Sequence, residues 1–181
     1  MERLVRHLVL ADKNDSECAG SWALVRELGF DEEEQHLHNT AGDLASAFAA
    51  LEMRAGDLFE LEAHAWHPDT AHGWSPFAND GAVNLIAARE GLPLLAPTLA
   101  MIGSCWAATP KAQEVLSQLF EPGTWLMGCV GRSTVAQVRR LVVPALKLWR
   151  HEGSDPHAVD SLLRADRRCN EWSLWKVGSA G

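Results

Sequence analysis

The chain has 181 residues, 47% of them apolar and 22% charged, and a formal net charge of −8. These are the proportions of a globular chain able to bury one core, and residues 1–181 are expected to form a single domain. The negative balance argues against nonspecific attraction to nucleic acid or to anionic membranes.

No apolar run reaches spanning length and no basic-then-apolar leader pattern opens the sequence, so a cytoplasmic location is expected. The four cysteines, Cys18, Cys105, Cys129 and Cys169, show no C-x-x-C spacing. They read as free thiols in a reducing compartment, where one is available for reactive chemistry.

Strand and helix patterns alternate from the start. Arg6 to Ala11 reads as a buried strand, followed by the polar break Asp12-Lys13-Asn14-Asp15. Trp22, Val25 and Leu28 mark one face of a helix that stops at Gly29. The acidic run Asp31-Glu32-Glu33-Glu34 reads as a solvated loop, and Gln35 to His38 as a weak edge strand with His36 and His38 facing solvent. Thr40 caps a helix carrying Leu44, Phe48 and Leu51. Leu58 to Ala63 is the next strand, and a polar stretch with three histidines, His64 to Gly81, follows it.

A short segment from Ala82 to Glu90 leads to the apolar run Leu94 to Ile102. Its last part, Leu99 to Ile102, is a strand ending at Gly103-Ser104-Cys105. Thr109-Pro110 starts a helix, with proline at the first helical position. Trp125 to Val130 is another strand, and Ser133 caps a long helix that Pro144 is expected to kink. A helix from Pro156 to Cys169 and a strand from Trp172 to Val177 close the chain. The alternation predicts an α/β fold built on a mostly parallel sheet with helices on both faces.

Parallel sheets present reactive groups beyond the carboxyl ends of their strands. One predicted strand ends in His64 and another in Cys105. As neighbours they would lie about 4.8 Å apart, with an imidazole facing a thiol. The helix starting at Thr109-Pro110 would bring its positive end toward the sulfur, and both settings lower a thiol pKa. The backbone N–H groups of Ala65 and Cys105 are candidates for an oxyanion hole. Trp66, His67, Trp74, Asp80 and Trp106 flank this pair and are candidate pocket residues, Asp80 as a selector of basic side chains. The remaining tryptophans, Trp22, Trp125, Trp149, Trp172 and Trp175, read as packing.

His67 is the alternative base, since a strand end is uncertain by a few residues. The pattern H-x-x-H-x-x-x-x-H formed by His64, His67 and His72 matches no common zinc site, even with Asp69 and Asp80 nearby. No metal and no cofactor is expected. Cys18, Cys129 and Cys169 read as structural.

Three segments carry a family resemblance: L-F-E-L-E-A-H-A around His64, M-I-G-S-C-W-A-A around Cys105, and E-W-S-L-W-K-V-G at the close. Cys105 follows His64 by 41 positions. The order and spacing resemble the caspase-like (clan CD) cysteine peptidases, and most of all their bacterial CHAT branch. The resemblance runs from about Leu4 onward, and only the His and Cys blocks are functionally diagnostic.

It implies a three-layer caspase-like fold with a six-stranded sheet whose last strand is antiparallel. It implies an endopeptidase with Cys105 as nucleophile, His64 as general acid/base and an acyl-enzyme intermediate. The expected partners are a protein or peptide substrate and a regulatory or sensor chain. The family usually has glycine after the histidine, where this chain has Ala65; a positive φ there would strain alanine. A catalytically inactive interaction module is the alternative reading. An amidotransferase-like hydrolase fits less well, because its histidine follows the cysteine.

Overall fold

The computed structural model describes residues 3–150, 155–165 and 172–178. Strand β1 (Arg6–Asp12) leads into helix α1 (Ser16–Arg26), strand β2 (Glu32–His38), helix α2 (Ala41–Ala50) and strand β3 (Asp57–Glu62). Three short strands follow, β4 (His64–Trp66), β5 (Ser75–Ala78) and β6 (Gly81–Ala82), then helix α3 (Leu85–Ala88), strand β7 (Leu99–Ile102), helix α4 (Pro110–Leu116) and strand β8 (Trp125–Cys129). The chain continues through helix α5 (Val135–Gln137), a π-helical segment (Val138–Val142), helix α6 (Val143–Arg150), helix α7 (Pro156–Leu163) and strand β9 (Trp172–Lys176). Cys169, with the end of the helix expected to reach it, lies outside the described residues.

Six strands form one sheet in the order β2-β1-β3-β7-β8-β9. Its pairings are parallel except β8 with β9, which is antiparallel. The fold is therefore α/β on a mostly parallel sheet, as the alternating pattern predicts, and the sheet has the six strands and antiparallel last strand that the resemblance implies.

Two apolar clusters take alternate residues of the same strands. Leu8, Leu10, Phe59, Leu61, Ala100, Ile102 and Leu126 pack with Leu44 and Phe48 of α2 and with Leu116 of α4. Leu58, Leu99, Met101, Met127 and Cys129 pack with Val25 of α1 and with Val142, Leu146 and Trp149 of the long C-terminal helical run. Alternating side chains point to opposite faces of a strand, so the clusters occupy the two faces of the sheet.

Several expectations change. The acidic run is not a loop: Glu32 to Glu34 open β2, where they pair with Arg54 (3.0 Å), Arg26 (3.1 Å) and Arg6 (3.2 Å). Charged side chains on an outer strand discourage edge-to-edge pairing, and this edge is tied down by arginines from β1, α1 and the turn between α2 and β3. His38 does not face solvent but is fully buried at the end of β2, and burial pushes its pKa down against the pull of Asp12 and Asp43. The cap of α5 is Thr134 rather than Ser133, with a reciprocal bond to Gln137. Before Pro144 the helix widens: the Val143 N–H donates to the Val138 carbonyl, five residues back. A proline lacks the N–H that would bond the carbonyl four residues earlier, and the wide turn sits directly ahead of it.

Candidate active site

Strand β3 pairs with β7 in a register that sets Leu58 opposite Leu99 and Leu61 opposite Ile102. The Gly103 N–H donates to the Leu61 carbonyl at 2.8 Å, carrying the ladder one step past β7. His64 and Cys105 each stand three residues beyond the last paired rung, at the carboxyl edge of neighbouring central strands.

His64 opens β4 and pairs with Phe77 of β5, whose ring stacks on the imidazole at 5.6 Å between centroids. Its Nε2 lies 3.0 Å from Oδ2 of Asp15. Asp15 is the N-cap of α1, and its Oδ1 accepts the N–H groups of Glu17 and Cys18, each at 2.9 Å. Burial opposes the charge of this carboxyl, but the Cys18 N–H and His64 outweigh it and hold its pKa below the ordinary value. An ionised carboxylate only accepts. Nε2 is therefore the donor in the neutral imidazole, and Nδ1 carries the basic lone pair.

Cys105 is half-buried. Its Sγ accepts the Ser133 N–H at 3.4 Å, and its carbonyl accepts Nε1–H of Trp74 at 2.9 Å. The next residue, Trp106, has φ +58°, the one positive φ outside glycine among the described residues. That backbone is strained for a bulky side chain. It is held by the Trp106 N–H to the Gly131 carbonyl (2.7 Å) and by the Thr109 hydroxyl donating to the Trp106 carbonyl (2.8 Å).

The thiol pKa departs from expectation. Burial raises it above the ordinary value, although the Ser133 N–H and Arg132 pull the other way. No hydrogen bond joins His64 to Cys105 among the described residues: the imidazole is bonded to Asp15 and the sulfur to Ser133.

Ala65 sits in β4 opposite Pro76 with no positive φ, so alanine is unstrained there. The Pro76 carbonyl accepts the Val83 N–H at 2.8 Å, toward the β6 side. Since N–H and C=O of an antiparallel residue share one side, Ala65 and Pro76 form a non-hydrogen-bonded pair. The Ala65 N–H then points away from β5.

The predicted pocket residues gather here with one exception. Trp66, 38% exposed, packs against Phe77 and His72, and the His67 ring meets Trp106 edge-on at 5.0 Å. Trp74 is buried and lines a cavity of about 360 Å³ with His72, Val83 and Leu85. Asp80 turns elsewhere, its Oδ1 accepting the Ala41 N–H at the start of α2 (2.6 Å). The alternative base, His67, has Nδ1 engaged by the Asp69 N–H at 3.2 Å, with the Asp69 carboxylate at 3.8 Å from the same nitrogen.

Beneath the site runs a buried polar row. His7 of β1 pairs with Glu60 of β3, and Glu62 on the same face is fully enclosed. Burial, and then Glu60, raise the Glu62 pKa well above its ordinary value. A β-carbon at Gly103 would fall on the Glu62 carboxyl, so the glycine two residues before Cys105 makes room for that side chain.

Asp15, Glu62, Ser133 and Cys18 are the site neighbours that sequence reasoning passed over. Asp15 carried a usable signal, an acidic N-cap between a strand end and a helix. No family model and no curated protein matches the chain.

Proposed function

We propose that this chain is a cysteine endopeptidase with a three-layer caspase-like fold, in which His64 and Cys105 form the dyad. The observation that carries the reading is the register: adjacent central strands end with the imidazole and the thiol at matching heights. The sheet order, with its antiparallel last strand, agrees with the resemblance.

In this reading the Cys105 proton passes to Nδ1 of His64 while Sγ attacks a peptide carbonyl. The N–H groups of Ala65 and Cys105 take the resulting oxyanion. His64 then protonates the leaving amine, and water hydrolyses the thioester. Asp15 fixes the tautomer and supports the imidazolium, the part a carboxylate plays beside a catalytic histidine. The substrate is a protein or peptide, and control by a regulatory chain is part of the proposal.

One observation favours a second reading, the catalytically silent interaction module. The Cys105 thiol is pushed up rather than down and bonds Ser133 instead of His64. Incubation with a peptide library, with new termini read by mass spectrometry, separates the two. Cleavage abolished in both Cys105→Ala and His64→Ala is the expected result. Cleavage that survives Cys105→Ala overturns the peptidase reading, and none by the wild type favours the silent module.

A further inference from the structure

Asp15, Cys18 and His64 come from two separate parts of the chain, yet one ligand atom of each lies within 4.8 Å of the other two. The local structure explains the convergence. Asp15 caps α1 and Cys18 follows three residues later, so both side chains leave the same side of the first turn. The Cys18 N–H holds Oδ1 of Asp15, which turns Oδ2 toward the His64 ring. His64 arrives from β4 with its ring stacked on Phe77.

We propose that these three residues form a zinc site, and that zinc there withdraws His64 from use as a base. The metal site stands on its own geometry; the inhibitory consequence rests on the peptidase reading. The donors are one thiolate, one imidazole and one carboxylate. Zinc accepts all three, whereas magnesium and calcium favour oxygen alone.

Tetrahedral zinc with bonds of about 2.0–2.3 Å sets its ligand atoms roughly 3.3–3.8 Å apart. The group therefore needs to contract by no more than about 1.5 Å at its widest, starting from the 4.8 Å limit. The part-exposed His64 and Asp15 side chains have room to do so, against a Cys18 only 6% exposed. Three protein ligands leave one position open for water.

On binding through Nε2, the S–H proton passes to solvent as the Zn–S bond forms, and the Nε2–H proton is exchanged for one on Nδ1 as the Zn–N bond forms, so the basic lone pair is lost with no change of oxidation state. This group is distinct from the His64, His67, His72 spacing: it shares His64 but takes its partners from α1.

The test is a titration of the chelator-stripped chain with Co²⁺ and then Zn²⁺. One equivalent of cobalt should give tetrahedral visible bands and a near-ultraviolet thiolate charge-transfer band, both displaced by zinc. Cys18→Ser should remove the charge-transfer band and weaken zinc binding by about 100-fold or more, while Cys105→Ser keeps the band. Zinc should slow the labelling of Cys105 in the wild type and leave it unchanged in Cys18→Ser.

A missing charge-transfer band in the wild type overturns the site, as does one that survives Cys18→Ser or is lost in Cys105→Ser. If Cys18→Ser does not fold, His64→Ala at the part-exposed position replaces it, and undiminished zinc affinity there overturns the proposal. An intact band with an unreactive Cys105 overturns the peptidase reading and leaves the metal site standing.

Discussion

The interior of the sheet and the rim at its carboxyl edge are built by different means. In β3 every residue from Asp57 to Glu62 is buried, and Phe59 packs between Phe48 and Phe120, 6.2 Å from each. At the rim, the His64 ring and the Cys105 sulfur are each held by one polar contact, to Asp15 and to Ser133, with aromatic rings packed beside them. The interior spends apolar area on stability, and the rim gives some of it up to keep two titratable groups partly accessible. The buried row His7, Glu60 and Glu62 lies under that rim and puts polar side chains inside the sheet.

The sharpest contrast should come from paired stability measurements. Phe59→Ala should cost about 3–5 kcal/mol by chemical denaturation, as for other buried phenylalanines. His64→Ala should cost under about 1 kcal/mol, as at part-exposed sites. Equal losses would break the distinction between the two regions.

Gly103→Ala tests where they meet. Its added methyl falls on the Glu62 carboxyl, and overpacking of this kind costs about 1–3 kcal/mol. In the Glu62→Ala background the cost should shrink by at least half. An unchanged cost would remove Glu62 as the reason for the glycine.

The polar row adds a pH signature. The folded-state pKa of Glu62 is raised above its unfolded value. The stability it contributes is then full below about pH 4, near the unfolded pKa, and is lost as pH rises toward the folded pKa. Glu62→Gln lacks this loss. The stability difference should therefore move in favour of the variant with rising pH, by at most about 1.4 kcal/mol per unit. A pH-independent difference would show that Glu62 ionises normally.

What was readable in the sequence follows the same division. The strands β1 and β7 announce themselves as apolar runs ended by polar or glycine residues and β3 as an apolar start interrupted by Glu60 and Glu62, and with them come the positions of His64 and Cys105. The all-acidic start of β2 has no apolar period to read, because an edge strand can be held by arginines instead. The strands β4 to β6 are two to four residues long, and one contains Pro76, so no period has room to appear. Asp15 looks like one more polar residue in a break until α1 and β4 are seen to converge on it. The direction of the Cys105 pKa depends on how deeply the sulfur is enclosed, which spacing does not encode.

The smallest stability change separates two roles of one residue. Asp15→Ala should lose the α1 cap, about 0.5–2 kcal/mol, and also the partner of His64. Asp15→Asn should keep the cap and lose only the charge beside the imidazole. If Asp15 orients the base, both variants should lower kcat by about 10-fold or more with little change in KM; a loss confined to Asp15→Ala would make its role structural.

The central claim is that Cys105 is a nucleophile served by His64. The most direct measurement is the rate at which a peptide-like thiol-reactive probe modifies each cysteine, followed by mass spectrometry across pH. The account predicts that Cys105 is labelled far faster than Cys18 or Cys129 near neutral pH, and that His64→Ala removes the advantage. Labelling of Cys105 no faster than that of Cys18, or unaffected by His64→Ala, would contradict it.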